Sequence, residues 1–121
     1  MDMPIRSFLQ AKIHRATLTN THVEYEGSVS ICPRLLDAAG ILPFEQVDVY
    51  NLDNGERLTT YAMSGDTNEV KLNGAAAHKG AAGQRVIIAA YCCLNDQEWP
   101  LHKPVVVLVD ENNKIKEILH K

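Results

Sequence analysis

Apolar and polar residues alternate along most of the chain with a period of two, not 3.6. Leu9, Ala11 and Ile13, then Ala16 and Leu18, mark one face of an opening strand, with Gln10, Lys12, His14 and Arg15 on or near the other. A second short strand is read through Val23 to Ile31. Pro33 opens the one clear helix, Leu35, Leu36 and Ala39 share a face of it, and Gly40 stops it. Gln46 to Asn51 alternates Val47 and Val49 with Asp48 and Tyr50. Asp53-Asn54-Gly55 then turns the chain into a returning strand from Glu56 to Met63.

Ser64 to Asn68 reads as a polar loop and Glu69 to Leu72 as a short strand. The turn Asn73-Gly74 follows, with a knot of small residues from Ala75 to Gly83. Gln84 to Leu94 is apolar enough to predict a central strand buried on both faces. Trp99, Pro100 and Pro104 mark a connection, Val105 to Val109 a further strand, and Asp110 to Asn113 a turn. Lys114 to Leu119 fits a last strand or a short helix. Six to eight short strands with regular turns and one short helix predict a small, mostly β barrel without internal repeat or domain boundary.

Composition narrows the function classes. At 121 residues the chain is read as one domain, residues 1–121. With 45% hydrophobic and 22% charged residues it is neither disordered nor of low complexity. The longest apolar run, Val86 to Leu94, is nine residues; a bilayer span needs about twenty. A net charge of −3, with Lys12, His14 and Arg15 as the longest basic grouping, argues against nucleic acid as a partner. Met1 to Gln10 carries Asp2 and Arg6 and no long apolar stretch, so no secretory signal is read there. Cys92 and Cys93, being neighbours on a strand, face opposite ways and are read as small buried hydrophobes in a reduced, cytoplasmic setting.

Conventional catalytic motifs are missing from the sequence. Cys32, Cys92, Cys93 and the five histidines lack metal-ligand spacing, so no metal is expected. Gly74, Gly80 and Gly83 do not form a phosphate loop, and no serine sits in a Gly-x-Ser-x-Gly elbow. One dipeptide stands out within Tyr25-Glu26-Gly27-Ser28. A glycine before a serine lets the peptide carbonyl tilt toward the hydroxyl, and strain there favours attack of the serine oxygen on that carbonyl, turning amide into ester. Gly-Ser alone is a common turn dipeptide, so its surroundings must carry the weight.

Those surroundings resemble the pyruvoyl-dependent aspartate 1-decarboxylases over nearly the whole chain. Leu9-Gln10-Ala11-Lys12-Ile13-His14-Arg15-Ala16 is similar to the family's opening strand. Tyr25-Glu26-Gly27-Ser28 resembles its self-cleavage site, and Leu36-Asp37-Ala38-Ala39-Gly40-Ile41 its following helix. Asn54-Gly55-Glu56-Arg57-Leu58-Thr59-Thr60-Tyr61 and Leu72-Asn73-Gly74-Ala75-Ala76-Ala77-His78 are similar to its two substrate-site segments.

The resemblance implies a mainly β fold, a double-psi six-stranded β-barrel with one or two short helices, assembled as a homotetramer with sites between subunits. It implies autocatalytic cleavage of a zymogen between Gly27 and Ser28, giving a β chain of residues 1–27 and an α chain of residues 28–121. Ser28 then becomes a covalently bound pyruvoyl group, so neither pyridoxal phosphate nor a metal is expected. That ketone would form a Schiff base with L-aspartate and accept the electron pair left by departing CO₂. The product would be β-alanine, a precursor of pantothenate. Some bacteria use a separate maturation factor for the cleavage.

The family's roles carry over residue by residue. Ser28 matches the pyruvoyl precursor and Tyr61 the proton donor. A phenol of pKa about 10 holds its proton at neutral pH. Lys12 and Arg57 match positions that face the substrate carboxylates. A tight cation on the departing carboxylate would stabilise the ground state, so the firm, bidentate grip of Arg57 is expected on the side-chain carboxylate. Thr60 matches a residue serving both substrate and self-cleavage. Asn73 matches a polar residue near residue 28, and Tyr25, Gly74, Ala75 and Ala76 match the pocket lining. Cys32 departs from the family's usual Asp and weakens the cap of the helix, and the tail after Val109 has no clear match. His22, His102 and His120 are read as surface residues. The rival readings are a barrel that never matures and a non-catalytic β-barrel binding module.

Overall fold

A computed structural model describes residues 3–121; Met1 and Asp2, at the start of the segment read as carrying no secretory signal, lie outside it. The fold is mainly β. Nine strands, β1 (Ile5–Thr17), β2 (Asn20–His22), β3 (Ser28–Ile31), β4 (Gln46–Asn51), β5 (Arg57–Ser64), β6 (Val70–Asn73), β7 (Arg85–Asn95), β8 (Val105–Val109) and β9 (Ile115–His120), are joined by one α-helix, α1 (Pro33–Ala39), and two 3₁₀ turns, Gly74–Lys79 and Trp99–Leu101. Neighbours run in the order β2-β6-β3-β5-β4-β7-β1-β8-β9. Parallel pairs (β1/β8, β2/β6, β3/β5) are interleaved with antiparallel ones. Among the described residues, no helix is long and apolar enough to cross a membrane.

The alternation reads out as predicted where pairing is regular. In β4 Val47 and Val49 are buried and Asp48 and Tyr50 are half-buried, and Gly55 turns the hairpin at φ 75. The helix spans Pro33 to Ala39 with Leu35, Leu36 and Ala39 buried, and Gly40 closes it in the left-handed region, φ 70. Cys32 stands at its N-cap without a side-chain capping bond, since a thiol is a poor substitute for the oxygen of a Ser, Thr, Asp or Asn cap.

Ala11, Ile13, Ala16 and Leu18 are all fully buried, as their common face predicts, because a bulge at Arg15, φ 68, takes up the odd spacing between Ile13 and Ala16. Three readings need correction. Val23 to Gly27 is not strand; the chain turns there, and β3 starts at Ser28. β7 is buried only in its first half, because Tyr91 to Asn95 run out beside the equally exposed start of β1; Cys93 is therefore exposed and Cys92 half-buried. His102 is half-buried, its Nε2 2.8 Å from the Leu9 carbonyl, whereas His22 and His120 lie at the surface. The tail forms a strand, β9, antiparallel to β8.

Candidate active site

β3 runs between β5 and β6, with Ser28 directly opposite Asn73. All four residues of β3 are buried, so Ser28 and Ser30, two apart, share one buried face while Val29 and Ile31 take the other. Ser28 is 1% exposed and Asn73 0%. The Asn73 Nδ2 group donates to Ser28 Oγ at 2.9 Å and to Ser30 Oγ at 2.8 Å. Ser28 Oγ in turn donates, over 3.4 Å, to the Glu26 carbonyl. Asn73 Oδ1 is buried with no partner. A buried polar group without a partner costs free energy, so this corner gives up stability that an apolar packing would keep.

The glycine under conformational demand is Gly74, not Gly27. Gly27 avoids the left-handed region and has nothing within 4 Å of where a Cβ would stand. Gly74 sits at φ 62, and a Cβ there would lie 2.7 Å from Gly27 Cα, 2.8 Å from Gly27 N and 2.9 Å from the Tyr25 carbonyl oxygen. Only a residue without a side chain lets these two backbones approach so closely. Gly74 thus packs against the backbone from Tyr25 to Gly27, immediately before the Gly27–Ser28 bond.

Above that peptide opens a cleft of about 400 Å³, lined by Gly27, Leu58, Thr59, Thr60, Tyr61, Ala75, Ala76 and Lys79. β5 supplies one wall and the 3₁₀ turn the other. Buried Asn51 ties the second wall down, donating from Nδ2 to the Lys79 carbonyl at 3.1 Å and to Gln84 Oε1 at 2.9 Å. The Tyr61 ring is stacked on Phe44 at 6.2 Å between centroids.

Leu58 and Thr59 also line a neighbouring cleft of about 250 Å³ with Asp48, Tyr50 and Arg57. The Arg57 guanidinium carbon lies 4.2 Å from the Tyr50 ring centroid. Asp48 accepts hydrogen bonds from Thr59 Oγ1 at 2.7 Å and from Tyr50 Oη at 3.2 Å, and the Tyr50 and Tyr91 hydroxyls meet at 2.7 Å. Burial, followed by the Tyr91 hydrogen bond, pushes the Tyr50 phenol up to about 12. None of the described ion pairs uses Arg57.

Gly27, Thr60, Tyr61, Ala75 and Ala76 therefore meet on one cleft, and Ser28 and Gly74 are chain neighbours of its lining residues Gly27 and Ala75. Arg57 stands one cleft away. Lys12 is not brought to the cleft: it lies on β1, opposite Ala89 of β7 and Val106 of β8, and β1 is four places from β3 in the sheet. There it joins Arg15 and Arg85 in holding His14 below its ordinary pKa, after burial as the larger cause. Tyr25 is 54% exposed, its ring centroid 5.8 Å from that of His22 and 5.4 Å from Lys71 Nζ. Leu58 and Thr59 fall inside the Asn54 to Tyr61 segment without a role assigned to them, and Lys79 and Ser30 fall outside every motif named above. Ser30 had a signal, since Ser-Val-Ser-Ile is a strand alternation with hydroxyls at every second position.

The chain is similar to known proteins over nearly its whole length. A family model described as aspartate decarboxylase matches residues 4–116. The chain is 54% identical to an aspartate 1-decarboxylase of Acaryochloris marina, covering 93% of this chain and 87% of that protein. It is 50% identical to one of Bdellovibrio bacteriovorus, over 92% of this chain and 90% of that one. With one of Ralstonia nicotianae the identity is 44%, over 93% and 96%.

Proposed function

The chain belongs to the aspartate decarboxylase family, and from that premise we propose that it cuts itself between Gly27 and Ser28 and then decarboxylates L-aspartate to β-alanine. The observation that carries this reading is Ser28 Oγ, buried and held 2.9 Å from Asn73 Nδ2, beneath a cleft lined by Gly27, Thr60 and Tyr61.

Self-cleavage needs a hydroxyl fixed beside its own N-terminal peptide. Ser28 Oγ attacks the Gly27 carbonyl carbon; the new C–O bond replaces the C–N bond, and the hydroxyl proton ends on the freed nitrogen of residue 28. Loss of the Ser28 α-proton then breaks the ester C–O bond, and Gly27 leaves as a carboxylate. Addition of water and departure of ammonia leave a ketone at residue 28. Asn73 orients the nucleophile, and Gly74 keeps the preceding backbone in place.

The residues present fit a pyruvoyl group at position 28: its precursor hydroxyl has a donor in Asn73, and the small Ala75 and Ala76 leave room in front of it. When formed, such a group supplies an electron sink for the pair released with CO₂. Tyr61 holds the proton that the substrate carbon receives. Arg57, stacked on Tyr50 and free of acidic partners among the described residues, binds the side-chain carboxylate, and Thr60 lines the site. Lys12 and the Tyr25 ring serve the site from a neighbouring subunit of a homotetramer. Their placement away from the chain's own cleft supports that reading, as do parallel and antiparallel pairs mixed in one sheet for closure as a double-psi six-stranded barrel. The site works in the cytoplasm, for pantothenate synthesis.

The test is turnover: cleaved protein given L-aspartate releases CO₂ and β-alanine in equal amounts, whereas Ser28→Ala releases neither. Equal background rates for both proteins would overturn the proposal.

A further inference from the structure

Ser30 has no part in the roles given so far, yet it takes one of the two hydrogen bonds that the Asn73 amide donates beside the cleavage site. Asn73 has two N–H hydrogens on Nδ2. One goes to Ser28 Oγ at 2.9 Å and the other to Ser30 Oγ at 2.8 Å. All three side chains are nine-tenths or more buried, with Ser30 6% exposed, so water does not replace a missing partner.

A primary amide with one hydrogen bond turns about its Cβ–Cγ bond, since the terminal torsion of Asn is broad. Bonds from both hydrogens to oxygens on either side fix the amide plane. Ser28 and Ser30 are placed to do this: they project from the same face of β3, and Asn73 lies directly across from Ser28 and diagonal to Ser30. The opposite amide orientation would leave two buried donors unpaired where now only Oδ1 is unpaired. With two hydroxyls accepting, Ser28 Oγ has one lone pair occupied, and its own hydrogen points away from Asn73 toward the Glu26 carbonyl.

We infer that Ser30 is a positioning residue for self-cleavage, acting through Asn73 to hold the attacking oxygen of Ser28. This rests on the reading that the Gly27–Ser28 bond is cut. Ser30 touches no reacting atom itself; its hydroxyl locks the amide that does.

The experiment follows the fraction of chain cut at Gly27–Ser28 by intact mass at fixed temperature, in wild type, Ser30→Ala, Ser30→Val and Ser30→Thr. Val and Thr share a β-branched shape suited to a buried strand, so they differ chiefly in the hydroxyl. Ser30→Ala and Ser30→Val are expected to cut about tenfold or more slowly, the size of a buried donor left unpaired. Ser30→Thr is expected within roughly threefold of wild type by the same scale. Wild-type speed in Ser30→Ala, or equal slowing in Ser30→Thr and Ser30→Val, would overturn the inference. Where Ser30→Ala does not fold, the Thr and Val pair decides. A wild-type chain that stays whole would overturn the cleavage reading instead. The locking of the amide is decided separately, on intact protein, by hydrogen exchange of the Asn73 side chain: faster exchange in Ser30→Val than in Ser30→Thr supports it, and equal rates contradict it.

Discussion

Two parts of the sheet are built on opposite terms. Where β1, β4 and β7 meet, Ile13, Val49 and Ile88 are fully buried and their register neighbours form long antiparallel ladders. Where β3, β5 and β6 meet, one of the two buried faces of a four-residue strand carries two serines, and the residue opposite Ser28 is an asparagine with an unpaired oxygen. The first region removes hydrocarbon from water and holds the fold. The second buries hydroxyls and an amide that packing alone would not select, and accepts a left-handed glycine against another backbone. Both regions carry buried hydrocarbon, Val29, Ile31, Val70 and Leu72 in the second, but the second adds the buried polar group on which the proposed chemistry rests, so substitutions of that group and of Ile88 should fail in different assays.

The largest separation is expected at the cleft. Tyr61→Phe removes one oxygen from a side chain already braced by Phe44, so it should cut itself and melt like wild type while turnover of L-aspartate falls roughly 10²–10⁴-fold, the usual worth of a positioned proton donor. Steady-state kinetics beside intact mass checks both halves. Unchanged turnover would remove Tyr61 from the chemistry.

Ile88→Ala should do the reverse. Truncating this fully buried side chain is expected to cost about 2–5 kcal/mol in denaturant unfolding, with the cleavage rate of the folded protein unchanged. A slowed cleavage at full stability would mean that the two regions are coupled.

Gly74→Ala tests the border between them. Its Cβ would meet Gly27 Cα at 2.7 Å, from backbone, which cannot swing aside. Displacing the scissile peptide should slow cleavage roughly 10²-fold, as small misplacements of reacting groups do. The stability loss from a non-glycine residue forced to positive φ should be smaller, about 1–3 kcal/mol.

The smallest effect is expected from His14. Its pKa lies below 6.5 in the folded chain because burial, and then Lys12, Arg15 and Arg85, disfavour its charged form. The unfolded chain therefore binds the proton first as pH falls, and the His14 contribution is present above pH 6.5 and declines below it. Unfolding midpoints between pH 7 and 5 should fall less steeply in His14→Gln than in wild type.

The contrast also explains what was legible in the sequence. The hairpin of β4 and β5 was readable because alternation and Asp53-Asn54-Gly55 are local signals. The bulge at Arg15 was not, since nothing nearby announces a non-glycine residue at φ 68. Nor was the exposure of Cys93, which depends on where the partner strand leaves the core. At the site, short stretches such as Gly27-Ser28 and Asn73-Gly74-Ala75-Ala76 pointed to one place because each is contiguous. That the strained glycine is Gly74, that Ser30 shares the Asn73 amide, and that Arg57 rests on Tyr50 all depend on strand register, which the letters do not carry.

The most direct test of the central claim is the intact mass of the purified protein under denaturing conditions. Two polypeptides are predicted: residues 1–27 ending at Gly27, and residues 28–121 with a blocked start, lighter by one ammonia than the same chain beginning with serine. A single full-length mass that persists after heating and after incubation with lysate of the source organism would contradict it, and the buried serine and its asparagine would then belong to a barrel that does not mature.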